Sequence, residues 1–303
     1  MLSRGMGALR AATPGPGEQA APPARRPPKA RLRLVNAKVS RGGALVLGAL
    51  PFLAVAVAYL VASGERLAVN PNDKLLPSPV QMWRAFLELA TIPDKRSGDL
   101  ILWVDTYASL LRLFAGVGMA TLTALTLGIA IGFIPRVKAF LLPFVTVVCV
   151  IPPLALLPIL FIALGLGETA KITLIAVGVA PVMVRDIANR VMELPPELVA
   201  KAQTLGGNSW TMVLRLVLPQ VMPRLVTCVR LALGPAWLFL IAAEAIASTE
   251  GLGYRIFLVR RYLSMDVILP YVAWITLLAV VTDWLLARLS RAISPWAHPV
   301  DAK

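Results

Sequence analysis

The run GALVLGALPFLAVAVAYLVA, Gly43 to Ala62, holds twenty residues without a charge. As an α-helix that is about 30 Å, the thickness of a bilayer's hydrocarbon layer. Residues 1–42, rich in Ala, Pro, Gly and Arg, carry nine Lys or Arg against the single acid Glu18 and show no hydrophobic period. They read as a disordered basic tail, long for the n-region of a signal peptide, and the run that follows is of spanning length. On the other side a polar segment, 63–105, is broken by Pro71, Pro77, Pro79 and Pro93, with Val80 to Leu89 predicted as a short amphipathic helix at the interface.

The same apolar texture recurs along the chain. Further spans are predicted from about Ala108 to Ile134, Ala139 to Leu164 (broken by Pro152-Pro153), Ile172 to Val184 with a polar continuation toward Arg190, Leu225 to Ser248 and Val267 to Ala287. Of the 303 residues, 58% are hydrophobic and only 15% charged, with a mean hydropathy of +0.75. Soluble chains are about 25% charged. The expectation is an all-α polytopic membrane protein with about six transmembrane helices. It divides into tail 1–42, first helix 43–62, extracytoplasmic or interfacial segment 63–105, core 106–290 and a second tail, 291–303.

Much chemistry is excluded. Cys149 and Cys228 fall in or beside apolar runs and the only histidine, His298, is in the terminal tail, so no metal site, disulfide framework or Ser/His hydrolase is expected. Gly165-Leu166-Gly167-Glu168-Thr169-Ala170-Lys171 has the wrong spacing for a P-loop. The net charge of +14 does not point to nucleic acid, because most of it sits in the tail.

With the N-terminus cytoplasmic, the inside segments hold 18 basic residues and the outside segments 8; without the tail the balance is 9 to 8. The positive-inside rule therefore places both termini in the cytoplasm, mainly on the strength of the tail.

The segment Glu193 to Pro219 carries the most information. Pro195-Pro196 suits a helix start, Glu197 the positive end of its dipole, and Gly206-Gly207 a stop. Asn208 or Ser209 then caps a second short helix with Trp210, Val213, Leu214 and Val217, and Pro219 and Pro223 lead into the fifth span. Two short helices on a Gly-Gly hinge form either a knob for a soluble partner or an interfacial turn.

Ala200-Lys201-Ala202, three residues, Gly206, nine residues and Leu216-Val217-Leu218-Pro219 resemble the E-A-A-x3-G-x9-I-x-L-P motif of binding-protein-dependent ABC importer permeases, with Ala200 in place of Glu and Lys201 in place of the first Ala. The likeness runs over roughly 100–290. It takes in Ser109-Leu110-x-Arg112, Ile151 through Pro158, Gly165 through Lys171, Arg230 through Trp237, Glu244 and Gly251-Leu252-Gly253-Tyr254, and is similar to the nitrate/sulfonate/taurine branch of the type I family. The resemblance implies a non-catalytic permease subunit of a bacterial inner-membrane importer, with 193–219 as coupling loop. Glu197, Ala200, Lys201, Ala202, Gly206, Gly207, Leu216, Leu218 and Pro219 would meet the ATPase. It further implies two ATPase subunits holding ATP and Mg, none of it in this chain. An extracytoplasmic binding protein and a second permease copy, as a homodimer, complete the assembly. The cargo would be a small polar solute such as nitrate, sulfonate or taurine, with ureas, bicarbonate and vitamin precursors open. The alternative is a self-sufficient ion-coupled secondary transporter or channel.

Ionisable groups in spans cost roughly 2.5–3.5 kcal/mol each, so they need partners or water. Arg112 and Glu244 lie at matched depth near one face, Arg230 and Asp283 near the other. Two ion pairs are one reading and independent snorkelling the other; an unpaired arginine on the path would attract an anion. Pro152 and Pro153 free backbone carbonyls in mid-membrane, as a kink lining the path or a structural one. Gly128-x3-Gly132, with Gly116 and Gly118, suits close helix packing, within the chain or between copies. Trp83, Trp103, Trp274 and Trp296 fit interfacial belts.

Overall fold

A computed structural model describes residues 39–297 apart from 72, 96 and 97. Residues 1–38 of the expected disordered tail, and 298–303 with His298, lie outside them. The chain divides into two units, Met1–Ala56 and Val57–Lys303, with the boundary inside the first helix. In the first unit the described residues are Val39, Ser40 and the opening half of α1 (Arg41–Val69), and no side chain of 42–56 is buried. All the remaining elements belong to the second unit, and among the described residues there is no strand.

The helix α1 runs past Ala62 to Val69. It can do so because its polar groups find partners in the returning chain. Tyr59 donates to the Pro77 carbonyl at 2.7 Å, Ser63 to that of Leu76 at 3.0 Å, and Arg66 pairs with Asp73. The expected interfacial helix is α2 (Pro79–Thr91), opened by a capping box in which Ser78 and Gln81 satisfy each other's amides.

The core is built on α3 (Ile101–Phe133) and α6 (Glu168–Met192). Gly116 sits against Ile175, Gly128 against Ile187 and Gly132 against Val191, always 59 residues apart, so the helices run parallel. A Cβ on any of these glycines would come within 2.5–2.7 Å of the facing side chain. Ala120 and Ala124, fully buried, continue the stripe at spacing four. The close seam lies within the chain. Gly118 is not part of it, with open space where a Cβ would stand.

Parallel α3 and α6 force the chain between them to return across the bilayer. That return is α4 (Pro135–Val148), a 3₁₀ turn from Pro153 to Leu156 and α5 (Leu157–Leu164), bent by 87° at the break. Five helices are long and apolar enough to span, and the bent pair, taken as one broken span, makes a sixth.

The loop holds α7 (Pro196–Thr204) and α8 (Ser209–Met212). The second short helix does not stand apart from the fifth span, as expected from the prolines. It continues through a π-turn, Val213–Val217, into α9 (Leu218–Ala247). Pro219 has no N–H and its ring would collide with the carbonyl four residues back, and widening the turn relieves that conflict. Leu218 N–H accordingly reaches back five residues to Val213 O. The chain ends with α10 (Leu252–Val259) and α11 (Met265–Ile293).

Candidate functional site

At the end of the core where α3 and α6 begin, Arg112 and Glu244 meet in a buried clamp. Arg112 Nη1 donates to Glu244 Oε1 at 2.8 Å and to the Glu250 carbonyl at 2.9 Å, while its Nε and Nη2 hold Glu168. Glu168 also accepts from Lys171 Nζ at 2.8 Å. Glu244, fully buried on α9, accepts in addition from Ser109 Oγ and from the Gly253 amide, each at 2.8 Å. Three consecutive amides of the α9–α10 turn are thus satisfied by side chains: Gly251 by Asp105, Leu252 by Ser109 and Gly253 by Glu244. Gly251 has φ +122, and a Cβ there would stand 2.6 Å from the Glu244 carboxyl carbon. Only glycine fits the closed clamp.

Sequence reasoning missed Asp105, which is fully buried and binds Arg255 Nε at 2.8 Å and the Tyr271 hydroxyl at 3.2 Å. Burial opposes the charge on Arg255, yet its pair with Asp105 holds the guanidinium pKa above its ordinary value. By hydropathy Asp105 falls in the polar segment 63–105, just outside a span that begins at about Ala108. Starting at Ile101, about two turns earlier, the helix puts Asp105, Ser109 and Arg112 on one face. Beside the clamp, Trp103 stacks edge-on against Trp274, whose indole donates to Thr106 at 2.9 Å.

Toward the other end Arg230 on α9 meets Asp283 on α11 in a two-pronged pair at 2.8 and 2.9 Å, both side chains partly exposed. A further pair, Arg224 with Asp186, ties α9 to α6; Arg224 had no partner assigned from sequence.

Between these ends lies a cavity of about 350 Å³ formed by the broken α4–α5 segment, α6 and α9. Pro153, Pro181 and Pro235 all line it, with Gly178, Phe239 and Cys228. Pro152 does not line it and is exposed at the break. The cavity is mostly apolar, with Asp186 its one charged lining group.

In the loop, Gly206 takes φ +79 and closes α7, and the Gly207 amide bonds Ala202 O at 3.0 Å. Asn208, not Ser209, caps α8, accepting from the Thr211 amide at 2.7 Å. No residue of α7, with Glu197, Ala200, Lys201 and Ala202, is buried. Leu205 is 81% exposed and Trp210 69%. Leu216 and Leu218 are half-buried in the wall behind, and Pro219 opens α9.

Six crossings around a broken helix, with apolar groups offered from a short-helix loop, define a polytopic permease fold. A profile of the family described as "Binding-protein-dependent transport system inner membrane component" matches residues 124–295. The chain is 33% identical over 264 residues to the "Taurine transport system permease protein TauC" of Escherichia coli (strain K12), covering 87% of this chain and 93% of that one. It is 30% identical over 226 residues to the "Bicarbonate transport system permease protein CmpB" of Synechococcus elongatus, covering 72% and 80%. A permease chain in "Inward facing conformations of the MetNI methionine ABC transporter" shares the fold, with a TM-score of 0.57 at 20% identity, over 66% of this chain and 99% of that one. The chain belongs to the binding-protein-dependent ABC importer permeases, in their nitrate/sulfonate/taurine branch, and is the membrane-spanning subunit of such an importer. That membership displaces the self-sufficient transporter or channel.

Proposed function

We propose that two copies of this chain enclose a path across a bacterial inner membrane, with both termini of each copy in the cytoplasm. Two ATPase subunits, which bind ATP and Mg, grip the loops 193–219, and an extracytoplasmic binding protein delivers the cargo at the clamp end. The observation that carries this reading is the loop itself. It is an ordered, capped pair of short helices whose Leu205 is left uncovered, joined through a π-turn to α9 without a break.

In the mechanism, closure of the ATPase dimer pushes on α7 and α8, and the continuous α8–α9 rod carries the displacement into the span. The clamp fastens α3, α6, α9 and α10 at the far end, so the push tilts these helices together rather than separating them. The proline-lined cavity, where backbone carbonyls are freed, sits on the moving face and forms this copy's half of the path. The chain performs no covalent chemistry in this scheme. The cargo is a small polar solute of the kind named for its relatives, taurine or bicarbonate, with nitrate and other sulfonates in the same class.

The test is co-purification of the tagged chain with the ATPase encoded beside it, wild type against Leu205→Glu. Leu205 is preferred over Gly206, whose positive φ would strain any side chain whatever it touched. Recovery of the ATPase with wild type and its loss from the folded variant are expected. Equal recovery would remove 193–219 as the docking site.

A further inference from the structure

A second cavity, of about 780 Å³, lies between the last turns of α3 and the elbow that joins α8 to α9. Its walls are Leu125, Ile129, Phe133, Trp210, Val213 and Leu214, and no charged residue lines it. The volume falls within the roughly 300–1,000 Å³ of small-ligand sites. From Phe133 to Leu125 it reaches about 12 Å along α3 into the spanning region. A soluble subunit seated on the membrane surface does not reach that depth; a lipid tail does.

The mouth is basic. Arg136 and Lys138 follow Pro135, which lines the cavity, and Arg215 lies between the lining residues Leu214 and Leu218. All three are exposed, and the ion pairs among the described residues involve other cations. The two stretches that build the site, 106–167 and 198–243, contain no acidic residue. An apolar slot whose flanking chain carries exposed cations outside those ion pairs matches one ligand chemistry, an anionic headgroup above an acyl chain. Trp210 supplies the amphipathic ring that favours that depth.

We infer that this cavity binds an anionic phospholipid of the cytoplasmic leaflet, its acyl chain against Phe133 and Trp210 and its headgroup among Arg136, Lys138 and Arg215. The assignment of leaflet rests on the cytoplasmic placement of 193–219 proposed above. The bound tail packs behind Val213 and Leu214 in the π-turn, so it stiffens the elbow through which the loop moves α9.

Native mass spectrometry of the purified chain tests this, with phosphatidylglycerol and phosphatidylcholine of identical tails as probes. Wild type is expected to retain phosphatidylglycerol with a preference of about tenfold or more. The triple variant Arg136→Gln, Lys138→Gln, Arg215→Gln should lose the preference but still hold either lipid. Thr126→Trp, placed at an exposed lining position, should hold neither. Variants are compared only after elution profile and thermal midpoint match wild type. Equal retention of the two lipids by wild type, or an unchanged preference in the triple variant, overturns the site. So does a lipid-free wild-type dimer that Thr126→Trp splits into monomers, since the slot would then be a seam between copies. Maleimide labelling of Ser209→Cys in intact and permeabilised cells tests the placement separately. Labelling in intact cells would sink the cytoplasmic reading and move the lipid to the other leaflet without touching the binding result.

Discussion

Glu244 is the acceptor on which the clamp turns, because it alone receives Arg112, Ser109 and the Gly253 amide. Glu244→Gln keeps the shape but leaves the Arg112 charge facing a neutral amide in a fully buried place. Removing one partner of a buried pair costs about 3–5 kcal/mol, so a lower thermal midpoint in detergent is expected, and an unchanged midpoint would mean that Glu168 alone suffices for Arg112. Exchanging Arg112 and Glu244 should not restore stability, since the new arginine would face two donors. The pair Arg230–Asp283 differs: among the described residues neither side chain has a second hydrogen-bond or ion-pair partner. There the single change Asp283→Arg should impair folding and the double exchange Arg230→Asp with Asp283→Arg should recover it. Failure to recover would tie one of the two side chains to a further contact. The depth of all four charges could be read from the sequence. The sharing of Arg112 between α6, α9 and the α9–α10 turn could not, because it depends on that turn folding back over α3.

The parallel seam of α3 and α6 makes an equally direct prediction for helix packing. Gly128→Leu drives a side chain into Ile187 and the Val184 carbonyl, 2.7 and 3.1 Å from where its Cβ would stand. Overpacking of this kind costs about 1–3 kcal/mol. Gly118→Leu, ten residues earlier on the same helix and facing open space, should leave the thermal midpoint unchanged. If both variants behave alike, the seam is not where the helices meet. Small residues at spacing four were legible, and Gly116, Gly128 and Gly132 were noticed for that reason. Whether they faced a neighbour in the same chain or in a second copy was open, since spacing records a face and not what lies against it. The continuity of the elbow was not legible for a different reason: Pro219 stands between the short helix and the span, and only the tertiary structure shows a π-turn absorbing it.

The six crossings rest on the return of the chain between α3 and α6. Lys138→Cys and Leu166→Cys, both at exposed positions, should react with an impermeant maleimide from opposite faces of oriented vesicles. Labelling from one face would make α4 and α5 a re-entrant hairpin and leave five spans. The apolar runs alone determined that this chain lives in a bilayer and where its loop lies, because transfer into hydrocarbon depends on composition and length within a single segment. The motif spacing in 200–219 and its neighbours carried the family. Tertiary structure decided the rest: that α3 and α6 run parallel, that Asp105 joins the clamp, that three prolines from three segments surround one cavity, and that α8 is continuous with α9. Each of these depends on residues far apart in the chain meeting at close range, and the free energy of such contacts is set by geometry that no local pattern encodes.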